Sequence, residues 1–243
     1  MTRNGGNTKL ASVIAREIVK DIVRRRLGAG AALPSESAML EQFGVGRASL
    51  REALRILEVH GLLTIRPGPG GGPVVQTVSS QHFGQMATLY FHVAGATFRE
   101  LAEARLVLEP VIARQAALRG DPDTLAALNT VVEQAREHPV GDSRAQFEAG
   151  TDFHAVLAGA SGNRVLDLVS RAIGNIYAER ITGVVFPLEA RARVVEAHAD
   201  IVAAITAGDA ELAERLTREH MTEFIAQAEK RYPGFLDEIV DWH

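Results

Sequence analysis

At 243 residues the chain is long enough for two domains, and it has no cysteine, so disulfides, thiolate metal ligands and a cysteine nucleophile are all excluded. No apolar run approaches the roughly 18 or more residues of a membrane span, and the amino terminus MTRNGGNTKL lacks the hydrophobic region of a secretory signal. A cytoplasmic protein with no membrane partner is the simplest reading. The net charge of −4 conceals an asymmetry: residues 1–78 carry 11 Lys and Arg against 6 Asp and Glu, or +5, and the remainder carries 15 against 24, or −9. A basic front segment suits a polyanion, which would repel the acidic remainder.

Thr8 to Leu27 places apolar residues at Leu10, Val13, Ile14, Ile18, Ile22 and Val23, the spacing of an amphipathic helix, and Gly28 and Gly30 end it. Arg24, Arg25 and Arg26 in its last turn complement the helix dipole, with proximity to a phosphate backbone as the alternative. Pro34-Ser35-Glu36 opens a second helix that is capped by Ser35 and ends near Phe43. Gly44-Val45-Gly46 turns into a third helix, which Gly61 closes. In that helix Arg47, Arg51 and Arg55 recur every fourth residue and drift only about 40° per step, so they form one cationic stripe. Leu50, Leu54 and Leu57 take the opposite side. Leu62 to Arg66 reads as a strand, Pro67 to Pro73 as a turn and Val74 to Val78 as a returning strand, with Arg66 at the rim. Three helices and a β-hairpin make a winged helix-turn-helix, whose second motif helix enters the DNA major groove.

The stretch Leu33 to Val75, LPSESAMLEQFGVGRASLREALRILEVHGLLTIRPGPGGGPVV, resembles the amino-terminal domain of the GntR family of bacterial transcription regulators. The resemblance implies DNA contacts from Arg47, Ser49 and Arg51, a wing tip at Gly68, and a DNA-binding surface that also takes in Ser35, Gly46, Ala48 and Arg66. Two positions depart from the family pattern. Ser37 stands where many members carry a DNA-touching arginine, and Gly46 replaces the usual Ser or Thr at the helix start. Losing a cation and a hydroxyl reduces phosphate contacts, and so affinity more than sequence preference.

The Gly-, Pro- and Ser-rich segment Gly70 to Ser80 reads as a boundary, giving a DNA-binding domain over 1–78 and an all-α domain over 79–243. Helices are expected near Ser80–Val93, Thr97–Leu118, Asp123–Glu137, Arg144–Ala160, Arg164–Thr182, Leu188–Ala207 and Ala210–Arg231. Three histidines lie on apolar helix faces: His154 with Phe147 and Leu157, His198 with Val194, Ile201 and Ile205, and His220 with Leu216 and Phe224. His198 and His220 lie ten and twelve residues on either side of Gly208, so antiparallel pairing sets the two imidazoles level, roughly 15–18 Å from the turn. Each is read as a hydrogen-bonded core residue or, jointly, as a ligand set for Zn²⁺ or a similar divalent ion.

FRELAEARLVLEP (98–110), FHAVLAGASGN (153–163), EAHADIVAAITAGD (196–209) and His220 resemble the FCD effector-binding domain of FadR-like GntR regulators. That resemblance implies a divalent metal held by an aspartate and by His154, His198 and His220. The aspartate position is Gly150 here, and Asp152, about 200° around the helix from His154, does not substitute for it. Three neutral ligands leave more charge on the ion and a position open to a ligand carboxylate. Arg105 shares a face with Leu101, Leu108 and Ile112 and needs a partner. Glu109 one turn on is the structural answer, and a small organic-acid effector is the one the resemblance implies. Asn175, beside Leu168, Ala172 and Ile176, is either a surface residue or a lining residue of the same cavity.

The expected protein is a homodimeric, metabolite-responsive transcription regulator, a repressor by default, acting on a palindromic operator. A metal-dependent hydrolase and a constitutive dimeric DNA-binding protein are the alternatives. Against the hydrolase, there is no HExxH, and no acidic residue is spaced as an obvious general base for the histidines.

Overall fold

The computed structural model describes the backbone of residues 4–68, 71–77, 79–137, 143–181 and 188–242, and their side chains apart from those of 4–8, 143–151, 179–181 and 188–191. Phe147 and Gly150 have side-chain positions outside that set, and Val78 and Thr182 lie outside the described residues. The chain divides into two compact units, Met1–His82 and Phe83–His243.

The first unit comprises α1 (Asn4–Arg24), α2 (Glu36–Phe43), α3 (Arg47–Val59), β1 (Leu63–Arg66) and β2 (Gly72–Val75). Ser35 caps α2 by accepting from the Ala38 amide, and Gly44 ends it in the left-handed region with its N–H on the Leu40 carbonyl. That tight exit turns the chain straight into α3. The strands pair antiparallel, Leu63 opposite Val75 and Arg66 opposite Gly72, and Ala32 adds a short bridge to Val74. β2 starts two residues earlier than the sequence pattern indicates and ends at Val75, where Gln76 keeps the register by donating its N–H to the Leu62 carbonyl at 2.8 Å.

The face that α1 buries also differs from expectation. Ala11, Ile14, Ala15, Ile18 and Ile22 pack with Leu50, Ala53, Leu54 and Leu57, whereas Leu10, Val13 and Val23 are exposed. Two alanines on the buried stripe allow close approach to α3, and a pattern counted on large residues alone rotates the helix away from them.

The second unit is helical: α4 (Ser80–Ala94), which crosses the division, then α5 (Phe98–Arg119), α6 (Pro122–Glu137), α7 (Ser143–Ala160), α8 (Arg164–Ile181), α9 (Leu188–Thr206) and α10 (Ala210–Arg231). A capping box of Thr97 and Glu100 starts α5, and Gly120 ends it in the left-handed region. One apolar cluster gathers Ile112, Leu128, Phe153, Leu157, Ile201 and Ile205. A second gathers Phe98, Leu101, Ile176, Tyr177, Phe235 and Val240. Along α5 the two clusters follow one another, and Arg105 and Glu109 fall between them. No helix among the described residues is long and apolar enough to cross a membrane.

The segment after α10 has no counterpart among the elements expected from sequence. A single 3₁₀ turn, Phe235–Asp237, seats Phe235 against the Phe98 ring with centroids 5.1 Å apart. The Val240 amide then donates to the Ala96 carbonyl at 2.9 Å, and the Phe98 amide donates to the Glu238 carbonyl at 3.1 Å. This segment clips the start of α5 in place. Phe235→Ala is expected to destabilise the chain by about 3–5 kcal/mol, the range for a buried aromatic truncation, measured by urea denaturation followed by circular dichroism. A loss below about 1 kcal/mol would mean that the clip contributes little.

Candidate functional site

On the first unit, Arg47, Arg51 and Arg55 are all exposed along one side of α3, opposite the buried Leu50, Leu54 and Leu57. Arg51 is not bare: its Nε donates to Glu36 Oε1 at 2.8 Å, and Nη2 lies 3.5 Å from Oε2. A carboxylate in the first turn of α2 thus sets the plane of the Arg51 fork. As an exposed pair it adds little stability, and its effect is on geometry. Sequence reading placed Glu36 only at the helix dipole, because the contact spans fifteen residues between two helices.

Ser49 sits differently from its two arginine neighbours in the implied DNA-contact set. It is only 7% exposed and lies about 200° around α3 from Arg47, on the core side of the helix. Gly46 has φ −75° and ψ 154° with no side-chain cap, and a Cβ there would meet nothing within 4 Å. A serine would therefore fit without strain. Ser37 is exposed, its Oγ 3.0 Å from that of Ser35, and Ala48 is exposed beside Arg47. Arg66 is exposed at the end of β1, and Gly68 is exposed with φ +93°.

In the second unit the three histidines come together from three helices. His154 is half-buried on α7, while His198 on α9 and His220 on α10 are buried. His220 Nε2 lies 3.1 Å from His198 Nε2 and 3.4 Å from His154 Nε2. Nitrogens bound tetrahedrally at about 2.05 Å from a Zn²⁺ ion stand about 3.3 Å apart, so these spacings fit one divalent cation. Among the described residues this is the group of His and acidic side chains with ligand geometry, its ligand atoms all within 4.8 Å of one another. Phe153 stacks on His198 at a centroid distance of 3.8 Å and fixes that ring.

Glu109 supplies what sequence reading missed. Its Oε2 accepts from His154 Nδ1 at 2.6 Å, and its Oε1 accepts from Arg105 Nε at 2.7 Å. From sequence Glu109 is only the partner of Arg105, and no carboxylate is spaced to reach the histidines. The carboxylate comes from α5, beyond the reach of local spacing. An ionised carboxylate only accepts, so the shared proton sits on Nδ1, and it is the neutral form of this ring, the one a metal would require, that turns an Nε2 lone pair toward the other two rings. Burial pushes the Glu109 carboxyl up, but the charges of Arg105 and His154 outweigh it and hold the pKa at about 2. Burial, with the neighbouring histidine and Arg105 charges, lowers His198 well below the ordinary histidine value. Burial, with the His154 and Arg105 charges, takes His220 to about 3. Both are neutral imidazoles at pH 7, the form that binds a metal.

Arg105 is buried and commits Nε to Glu109, and its guanidinium carbon lies 5.5 Å from the centroid of the Tyr177 ring. Tyr177 is 2% exposed, and its hydroxyl has no hydrogen-bond partner among the described residues. Burial pushes this hydroxyl up to about 12 against the pull of Arg105, so it is a neutral donor. Asn175 is half-buried two residues earlier on α8, about 200° around the helix. Asp152 is exposed on α7. A cleft lined by Arg193, Val194 and Ala197 of α9 and by Glu223, Phe224 and Gln227 of α10 reaches His220 from outside.

Residues 10–71 match the family description "Bacterial regulatory proteins, gntR family", and residues 100–223 match "FCD domain". The HTH-type transcriptional repressor NanR of Edwardsiella tarda (strain FL6-60) is 30% identical over 230 residues, covering 90% of this chain and 85% of that protein. Its Escherichia coli (strain K12) namesake is 30% identical over 224 residues, with 90% and 84% covered. Among solved structures, Streptococcus agalactiae GntR superposes with a TM-score of 0.75 at 26% identity, covering 90% of this chain and all of that one.

The pKa shifts fix a pH dependence for the metal-free protein. Below pH 6.5 the unfolded chain protonates His220 and His198 while the folded chain does not, so stability is complete above that pH and falls as pH drops toward 3. Glu109 acts in the same direction between 4.5 and about 2. At pH 4 the His220 contribution alone is a loss of about 3 kcal/mol. Thermal melts of chelator-treated protein between pH 7.5 and 4 measure it, and a flat Tm over that interval would contradict the neutral buried pair.

Proposed function

The chain belongs to the GntR family of bacterial regulatory proteins and carries the FCD domain, and from that premise we propose that it is a homodimeric repressor released from a palindromic operator by a small organic acid. In this reading the acid binds beside a divalent ion held by His154, His198 and His220. The observation that carries it is the convergence of three Nε2 atoms, with Glu109 fixing the tautomer of His154.

DNA is gripped by Arg47 and by the Glu36-oriented fork of Arg51, with Arg66 reaching from the wing. Ser35, Gly46, Ala48 and Gly68 bring backbone close to phosphates, and Arg55, farther along the stripe, meets phosphate or solvent. The protein works in the cytoplasm, where its DNA is. Its relatives are transcription regulators, so a regulator replaces the hydrolase reading. The sign of control follows the description of the relatives as repressors.

Charge balance supports an anionic effector. Glu109 cancels Arg105, and three neutral imidazoles cancel nothing, so a bound divalent ion would leave the pocket with about two uncompensated positive charges. When bound, the ion supplies a Lewis-acidic anchor for an oxyanion. Arg105 retains its Nη donors for a carboxylate, and the Tyr177 hydroxyl donates to a second oxygen. Such an effector shifts operator occupancy only through unequal affinity for the DNA-competent and DNA-incompetent states, typically worth about 1–3 kcal/mol.

Competition with a chromophoric chelator tests the metal centre. His220→Ala is expected to lose most Zn²⁺ affinity, and Glu109→Gln to lose roughly 10–100-fold, the usual effect of removing a partner that orients a ligand. Unchanged affinity in His220→Ala would refute the site. On DNA, Arg47→Ala is expected to weaken binding to a duplex selected from random sequence and to lower the salt slope by about one, while Ser49→Ala leaves that slope unaltered. Equal slopes for Arg47→Ala and the parent would remove Arg47 from the phosphate contacts.

A further inference from the structure

The three imidazoles differ in what surrounds them. His198 is buried beneath the Phe153 ring, and His154 has its Nδ1 committed to Glu109. His220, whose Nε2 lies 3.1 and 3.4 Å from the other two, is the ring that lines the cleft between α9 and α10. Arg193, Val194 and Ala197 form one wall and Glu223, Phe224 and Gln227 the other, in each helix at positions i, i+1 and i+4, which share a face. Ala197, the smallest of the six, sits beside His198 in sequence, and its lack of bulk keeps the cleft open where it meets the cluster.

Glu223 stands one turn from His220, about 4.5 Å farther along α10 and about 60° around it. Arg193 and Glu223 are each fifteen residues from Gly208, so antiparallel pairing sets the two charges level at the mouth. Both are exposed, and neither has a hydrogen bond or ion pair to another described residue. Three neutral imidazoles exert no net charge on a dication outside the bundle. The Glu223 carboxylate supplies what they lack, an attractive charge and an oxygen donor that replaces a bound water before an imidazole is reached. Arg193 keeps the mouth neutral overall, which favours passing a cation inward over storing it there. The Arg105 side of the cluster offers a cation no such donor, since both Glu109 oxygens are engaged.

We propose that the cleft between α9 and α10 is the passage by which a divalent ion reaches and leaves the three histidines, and that Glu223 is the first protein ligand along it. The inference rests on the reading of those histidines as a metal centre and adds to it a route separate from that of the acid, which meets Arg105 and Tyr177 on the other side.

Stopped-flow mixing of the full chain tests it, the two readouts being Zn²⁺ uptake by chelator-treated protein and Zn²⁺ release into excess chromophoric chelator. A side chain that only narrows a passage raises the barrier equally in both directions, so both rates fall while their ratio, the Kd, is unchanged. Ala197→Phe is therefore expected to slow uptake and release alike, roughly tenfold or more, at parental Kd. Glu223→Gln should slow uptake roughly 3–10-fold through lost attraction. Glu211→Gln, the same change of charge at the exposed first turn of α10, should take up Zn²⁺ at the parental rate.

Far-UV circular dichroism and equilibrium Zn²⁺ titration report whether each variant keeps its fold and its centre. If Ala197→Phe weakens equilibrium binding by disturbing the adjacent His198, Val194→Phe, farther toward the mouth, takes its place. A folded variant with a filled cleft that exchanges Zn²⁺ at parental rates would overturn the passage and leave the metal centre standing. Equal uptake by Glu223→Gln and Glu211→Gln would overturn the role of Glu223. A parent that takes up no Zn²⁺ would refute the metal centre itself, and the passage with it.

Discussion

The carboxylate of Glu109 is the constraint on which the helical unit depends. It is buried between two apolar clusters and bridges Arg105 on its own helix to His154 on α7. A buried guanidinium without this partner would be left uncompensated, and breaking such a pair typically costs about 3–5 kcal/mol. The same oxygen atoms decide the tautomer of His154. Stability of the bundle and ligand geometry at the histidines are therefore one feature seen from two sides, and α5 cannot be altered at this turn without touching both.

Position 150 gains meaning from this arrangement. A carboxylate bound directly to a metal would neutralise charge at the ion. In this chain the carboxylate near the cluster instead acts through the imidazole Nδ1 and is balanced by Arg105. Under the proposed reading, a divalent ion held by these histidines would leave positive charge for an anion to offset. In the DNA-binding unit a glutamate again works through a second residue, with Glu36 orienting the Arg51 fork.

Much of this was legible in the chain. Where their ends fall inside the described residues, the helices of the second unit begin and end within one residue of where Gly, Pro and Asp breakers and the 3.6-residue period put them, because caps are local chemistry. The three histidines were legible for the same reason, since each sits on a periodic apolar face and a helical hairpin fixes their level. What failed to show were contacts that cross elements. These include Glu109 on His154, Glu36 on Arg51, and the terminal clip on Phe98, whose short segment has no period to detect. The burial of Ser49 was not legible either, because resemblance carries a residue's role but not the face it occupies. The buried stripe of α1 was missed because alanine weighs little in an apolar pattern and yet permits the closest packing.

The clip at the carboxyl end also gives the molecule a built-in optical probe. The only tryptophan in the chain, Trp242, is 54% exposed and follows the fully buried Val240 by two residues. Its indole is tethered to the clip, not to the histidines or to the arginine stripe. Excited where the three tyrosines do not absorb, its emission on adding zinc, an acid or DNA reports the surroundings of this terminal segment beside α5.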